Sequence, residues 1–154
     1  MNEFMLKRFQ AELENALENI EIIDNIVVSS LDGIAITHAS RSDQNIDSIA
    51  ARSASFLSLG DIWQDTSGNL SCDNVIMESK RGTVVVIHMG LKLLLCMTTT
   101  SDATTGIILH HAKACGEQLM SIVESAATSG ENAPNISSDM PRVQPRNLPN
   151  IANG

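Results

Sequence analysis

Basic residues are scarce in this chain: ten Lys and Arg stand against 18 Asp and Glu over 154 residues, a formal charge of -8. Polyphosphate surfaces are held mainly by clustered Lys and Arg, so nucleic acid is not an expected partner. No apolar run approaches the roughly 20 residues that cross a bilayer, and Met1-Asn2-Glu3-Phe4 lacks the basic and then apolar layout of a secretory signal. A protein of the cytoplasm, without a membrane span, is expected. Cysteine is also sparse and odd in number: Cys72, Cys96 and Cys115 lie in apolar segments and read as reduced small hydrophobes, not as a disulfide framework. The runs G-x-x-x-x-G-K-[ST], G-x-G-x-x-G and G-x-S-x-G are missing, and with them the recognisable phosphate cradles and nucleophile elbows. Neither a cofactor nor an enzymatic activity is expected.

Proline is absent until Pro134, and then Pro141, Pro145 and Pro149 follow among Asn132, Asn135, Asn147, Asn150 and Asn153. Such a segment repeats no apolar period and lacks a full set of backbone donors. The domain boundary is therefore placed at Ala127, giving a folded body of residues 1–127 and a disordered Pro and Asn rich tail of residues 128–154. The tail is formally neutral, so the whole net charge belongs to the body. With 43% hydrophobic and 18% charged residues, that body has the composition of one globular domain.

Along the body, Met5, Phe9, Leu13, Ala16, Leu17 and Ile20 recur at helical spacing and predict a first helix from Asn2 to about Ile20. Two strand-like runs, Ile26–Leu31 and Ile34–His38, flank Asp32-Gly33, which predicts a two-residue hairpin turn. Ser42 or Asp43 can cap a second helix that runs to about Leu59, with the stripe Ile46, Ile49, Ala50, Ser53, Ala54 and Leu57. Beyond the turn-rich residues 64–69, strands are expected over 74–78, 83–89 and 91–98, punctuated by Lys80-Arg81-Gly82 and Gly90. A third helix follows, capped by Ser101 or Asp102, with the stripe Ile108, His111, Ala112, Cys115, Leu119, Ile122 and Val123.

The order is α-β-β-α-β-β-β-α. Val84-Val85-Val86-Ile87 and Leu93-Leu94-Leu95-Cys96-Met97 are apolar on both alternating faces, so the central strands must be covered on both sides. The expected class is α/β in the α+β sense, a five-stranded, mostly antiparallel sheet sandwiched by helices. The second helix carries only Asp47 and Arg52 as charges between Gln44 and Gly60, while Ala51, Ser55, Phe56 and Ser58 lie opposite its core stripe. A helix face with so little charge implies a second packed surface.

The Ser29–Ile36 hairpin, the Ala50-Ala51-Arg52-Ser53-Ala54-Ser55 helix, the Gly90-Leu91-Lys92-Leu93-Leu94 hairpin and the Thr105-Gly106-Ile107-Ile108 helix start, in that order and spacing, resemble the Roadblock domain. That is the family of the dynein light chain and of bacterial GTPase regulators; the resemblance spans about residues 3–126, and its bacterial single-domain members are the most similar in size. It implies a Roadblock/profilin-like fold, a homodimer formed through the middle helix and the adjoining third strand, and work as a scaffold or regulator of a small Ras-like GTPase. On this basis Ala51, Ser55, Phe56, Ser58, Val75 and Met77 are the expected interface residues. Asp32, Gly33 and Gly90 are assigned to turns.

Other constellations have simpler readings. Asp32 stands where a turn tolerates it. His111 and Cys115 lie one helical turn apart, but a zinc site wants three or four ligands, and His38, His88, Cys72 and Cys96 are scattered without metal-ligand spacing. Cys96 and His88 could form a nucleophilic pair, yet both fall in covered strands, where a thiol is raised in pKa. Glu12, Glu14, Glu18, Glu21 and Asp24 read first as a solvated face and second as a steering surface for a basic partner. A small-molecule-sensing domain is the alternative function. Its pocket needs convergent polar groups, and Ser30, Asn74, Thr83 and Thr98 are the candidates, without forming an evident cluster.

Overall fold

The amphipathic start folds as α1 (Glu3–Asn19), whose cap is Asn2: its side-chain oxygen accepts the Met5 N–H at 2.8 Å. The coordinates are a computed structural model, which describes residues 1–65, 72–100 and 104–129. The remaining elements are β1 (Ile23–Ser30), β2 (Ala35–Ser40), α2 (Ile46–Asp65), β3 (Asn74–Ser79), β4 (Gly82–Met89), β5 (Leu93–Thr99) and α3 (Thr105–Ser129). This is the expected order. The strands form one sheet in the order β2-β1-β5-β4-β3, every neighbouring pair antiparallel, with β2 and β3 at the edges.

The alternation of side chains splits the interior into two cores. Ile26, Val28, Val85, Ile87, Leu95 and Met97 point to one face, where Phe9 and Leu13 of α1 and Ile108, Ala112, Cys115 and Leu119 of α3 cover them. Val27, Val86, Leu94 and Cys96 point to the other, under Ile49, Ala50 and Leu57 of α2. The double coverage of β4 and β5 expected from their unbroken apolar runs is thus present. The stripes read for α1, α2 and α3 are the buried faces of those helices, except that His111, Ala16, Leu17, Ile20, Ile46, Ala54 and Val123 are only partly buried.

Several boundaries move for local physical reasons. The strand expected from Ile26 begins at Ile23, because a bulge between Ile23 and Asn25 breaks the alternation. Asn25 is fully buried there, its amide donating to Thr98 Oγ1 at 2.8 Å while its oxygen accepts from Ser40 and Ser42. The β1–β2 loop has three residues, not two: Gly33 N–H donates to Ser30 O at 3.0 Å and Ser30 N–H to Ile34 O at 3.0 Å. Gly33 takes φ 83°, the left-handed conformation that closes a three-residue hairpin. For α2 the N-terminal side-chain acceptor is Asn45, whose Oδ1 receives the Ser48 N–H at 2.9 Å, instead of Ser42 or Asp43. That helix also continues through Gly60 to Asp65, past its expected end at Leu59 and into residues read as a turn. Ser101 and Asp102 lie outside the described residues, and α3 runs to Ser129, two residues beyond the boundary set at Ala127.

One side chain ties the end of α1 to the sheet. Arg41 donates from its guanidinium to the carbonyls of Leu17, Ile20, Glu21 and Ile23. A helix C-terminus leaves its last carbonyls without intrahelical donors, and a cation there also suits the helix dipole.

Candidate protein interface and the cavity beside it

With α1 and α3 together on one face, α2 alone must cover the other. Its inner stripe packs on the sheet. Its outer stripe, repeating at three and four residues, is Ala51, Ser55, Leu59 and Ile62, all exposed and none charged. Leu59 is 63% exposed, Ile62 62% and Trp63 78%. Large apolar side chains this open in one turn of helix form a patch and not scattered single exposures.

The expected interface residues divide between two elements. Ala51, Ser55 and Ser58 are exposed on α2, with the Ser55 hydroxyl returned to the Ala51 carbonyl at 3.0 Å. Phe56 is half-buried on the flank of α2 that faces β3. Val75 and Met77 belong to the edge strand β3 and point to the α2 side of the sheet, opposite Val86 and Val84. Leu59, Ile62 and Trp63 are not among the expected residues. Their signal is in the sequence: the three-and-four spacing of Ala51, Ser55, Leu59 and Ile62 runs straight through Gly60, the position that reads as the helix end.

Gly60 is there because of a close approach. A Cβ on it would stand 2.6 Å from Cys72 Sγ and 3.2 Å from Val75 Cγ2, so only hydrogen lets α2 lie against the start of β3. At the other side, a Cβ on Gly33 would meet the Ala51 Cα at 2.9 Å, which places the β1–β2 loop with Asp32 against the middle of α2. Gly90, at φ 63°, occupies the β4–β5 turn.

Between α2 and the β3–β4 hairpin opens a cavity of about 480 Å³. Its apolar lining includes Ile49, Phe56, Met77 and Val84; its polar lining includes Arg52, Ser53, Arg81, Thr98 and Thr100. Of the four polar strand residues considered for a sensor pocket, Thr98 lines it, whereas Ser30, Asn74 and Thr83 do not. Cys96 reaches the same cavity, and burial pushes its thiol up to about 11, against the opposing hydrogen bond with Ser53 and the charge of Arg52.

The remaining candidates do not converge into a catalytic or metal centre. His88 is half-buried, its Nε2 3.8 Å from Asp61 Oδ2, and the other Asp61 oxygen accepts the Cys72 N–H at 2.9 Å. Burial also raises the Cys72 thiol and pushes that of Cys115 up to about 12, with the Glu12 charge adding to the latter. His110 and His111 meet edge to face at 5.8 Å. Among the described residues no three His, Cys, Asp or Glu side chains stand together as metal ligands. No described helix is long and apolar enough to cross a membrane. Glu14, Glu18 and Glu21 are exposed, on the side away from α2.

Five antiparallel strands thus carry two helices on one face and, on the other, a single helix whose outer stripe is uncharged. The model of the Roadblock/LC7 domain matches residues 9–99. The chain belongs to the Roadblock/LC7 family. No curated protein sequence matches it. Among solved structures, an MglB described in a tetrameric arrangement superposes with a TM-score of 0.72 at 19% identity, covering 82% of this chain and 95% of that one. The gliding protein MglB of Thermus thermophilus gives 0.72 at 18% identity, covering 82% and 96%. Profilin of Schizosaccharomyces pombe gives 0.55 at 10% identity, covering 74% and 98%. At these identities the likeness is one of fold, and it includes the profilin-like architecture that the resemblance implies.

Proposed function

We propose that the chain is a homodimeric regulator or scaffold of a small Ras-like GTPase, working in the cytoplasm by binding and not by catalysis of its own. The observation that carries this reading is the uncharged outer stripe of α2, with Leu59, Ile62 and Trp63 exposed beside the open edge of β3. Two copies that set α2 against α2 and β3 against β3 cover both features at once, and an unpaired strand edge is itself a surface that seeks a partner. Such an interface buries about 800 Å² per partner. Ala51, Ser55, Phe56, Ser58, Val75 and Met77 lie within it, joined by Leu59 and Ile62. Residues 1–129, to the end of α3, form the domain that dimerises and 130–154 a tail outside it.

Regulation of a GTPase requires a difference in affinity between its nucleotide states, since equal binding shifts no equilibrium. The dimer acts by ordering the switch segments of the GTPase and needs no inserted arginine. The test has two parts. Sedimentation of the whole chain at micromolar concentration is expected to show a dimer that Ser55→Arg converts to a folded monomer, and a wild-type monomer overturns the dimer. Titration against Ras-like GTPases of the same cell, loaded with GTP or GDP, is expected to show one preferred state, and indifference to the nucleotide overturns the regulatory role.

A further inference from the structure

The chain places two of its ten cationic side chains around the cavity between α2 and the β3–β4 hairpin, and among the described residues no acidic side chain lines it. Arg52 stands on the flank of α2 and Arg81 in the two-residue turn between Ser79 and Gly82. Arg52 spends one donor, its Nε, on the Ser48 carbonyl at 3.1 Å, which fixes the side chain and leaves the terminal nitrogens available. The Arg81 guanidinium makes neither a hydrogen bond nor an ion pair among the described residues, and no described carboxylate lies within ion-pair distance of either arginine. In a protein with so many acids, two arginines lining one concavity with no described carboxylate within ion-pair distance are a local reversal of the charge pattern.

We propose that this cavity binds a small organic anion: a phosphate or carboxylate head held by Arg52 and Arg81, with an apolar body on Ile49, Phe56, Met77 and Val84. A volume of about 480 Å³ lies within the roughly 300–1,000 Å³ of small-molecule pockets, and an apolar floor with a few convergent polar groups is their usual construction. Guanidinium matches carboxylate and phosphate geometry with paired donors, which a lysine at either place does not. The Ser53 hydroxyl is already spent, donating to the Ile49 carbonyl at 2.7 Å, whereas the Thr98 hydroxyl accepts from Asn25 at 2.8 Å and keeps its own hydrogen to donate. The arginines therefore supply the charge, and Thr98 is the one wall hydroxyl of the two with a donor to spare. The net charge of -8 does not oppose this, since charges farther than a Debye length of about 8 Å are largely screened at physiological ionic strength. Phe56 and Met77 also belong to the proposed dimer interface, so an occupant of the cavity lies at its margin and can bias association. The site itself does not depend on the dimer.

Phenyl phosphate and inorganic phosphate, titrated separately into the full chain and followed by amide chemical shifts, test the proposal. Phenyl phosphate is expected to saturate one site per chain with a Kd below about 1 mM, and inorganic phosphate to bind about tenfold more weakly for want of the apolar body. Arg52→Gln and Arg81→Gln are each expected to weaken phenyl phosphate about tenfold or more with the thermal midpoint unchanged, while Arg8→Gln on α1 has no effect. Absence of saturable shifts, or equal binding by the arginine variants, overturns the site. Equal affinity for the two probes overturns the apolar floor. Sedimentation of the same samples reports the dimer independently: a dimer that binds no probe means that the second copy fills the cavity, and the proposal then fails while the dimer stands.

Discussion

The two faces of the sheet differ in how they are finished. On the α1 and α3 side, two helices contribute Phe9, Leu13, Ile108 and Leu119, all fully buried, to a continuous core. On the α2 side, one helix spans a five-stranded sheet that is wider than it can cover, and the deficit appears as a cavity and a half-exposed strip of β3. The first face stabilises the monomer. The second retains apolar surface that folding alone does not remove from water, and such surface is where association gains its free energy.

The sharpest way to break this contrast is to cut into the closed face. Phe9→Ala is expected to cost about 3–5 kcal/mol, read as a lower urea midpoint, because a fully enclosed ring leaves a cavity between two helices. A cost near 1 kcal/mol means that α1 can collapse inward and that the closed face is less rigidly packed than its burial implies. Next in size, Asn25→Ala at the bulge is expected to cost about 2–3 kcal/mol, since it leaves the Ser40 and Thr98 hydroxyls short of a buried partner at the sheet's α2 face.

One cysteine on each face sharpens the comparison through pH. Cys96 on the α2 side and Cys115 on the α3 side have folded pKa values pushed up to about 11 and about 12, from an ordinary value of 9.0. Above pH 9 the unfolded chain releases these protons while the folded chain keeps them, so unfolding becomes easier as pH rises. Their contribution is complete below pH 9 and disappears as pH climbs through 11 to 12, a loss on the order of 2 kcal/mol for Cys96. Urea melts of wild type and of Cys96→Ala across this window are expected to converge as pH rises, and a constant difference between them shows that the thiol does not titrate differently on folding.

Smaller still, Arg41→Ala is expected to cost about 1 kcal/mol by freeing the carbonyls at the end of α1, with hydrogen exchange quickened around Leu17 to Ile23 and not elsewhere. The least effect on folding is expected from Ile62→Ala, below about 0.5 kcal/mol in dilute solution, since the side chain is already in water. The same substitution is expected to weaken self-association in sedimentation. A large loss of monomer stability at Ile62, with no change in association, inverts the contrast between the faces.

Periodicity and composition determined which residues face inward and in what order the elements come. Phe9, Leu57, Val86 and Leu119 sit where their spacing put them, because a helix or strand has one period and an apolar stripe has one favourable place to go. Gly33 and Gly90 take φ 83° and 63°, but turn chemistry misjudged the length of the first loop, since Asp-Gly suits both two-residue and three-residue hairpins and only the strand pairing selects between them. The end of α2 was misplaced because glycine usually stops a helix. Here Cys72 and Val75, from the chain beyond α2, press against Gly60 and need its missing side chain. Asn25, buried within a bulge, and Arg41, reaching back to α1, gave no local pattern at all, because their partners are brought in from other strands and helices. The cavity is of the same kind: Arg52 and Arg81 are 29 positions apart, one on a helix and one in a hairpin turn, and nothing local relates them. Only the packing of α2 across the sheet sets both on one concavity, since the direction in which a lone helix crosses five strands is decided by side chains that meet in three dimensions.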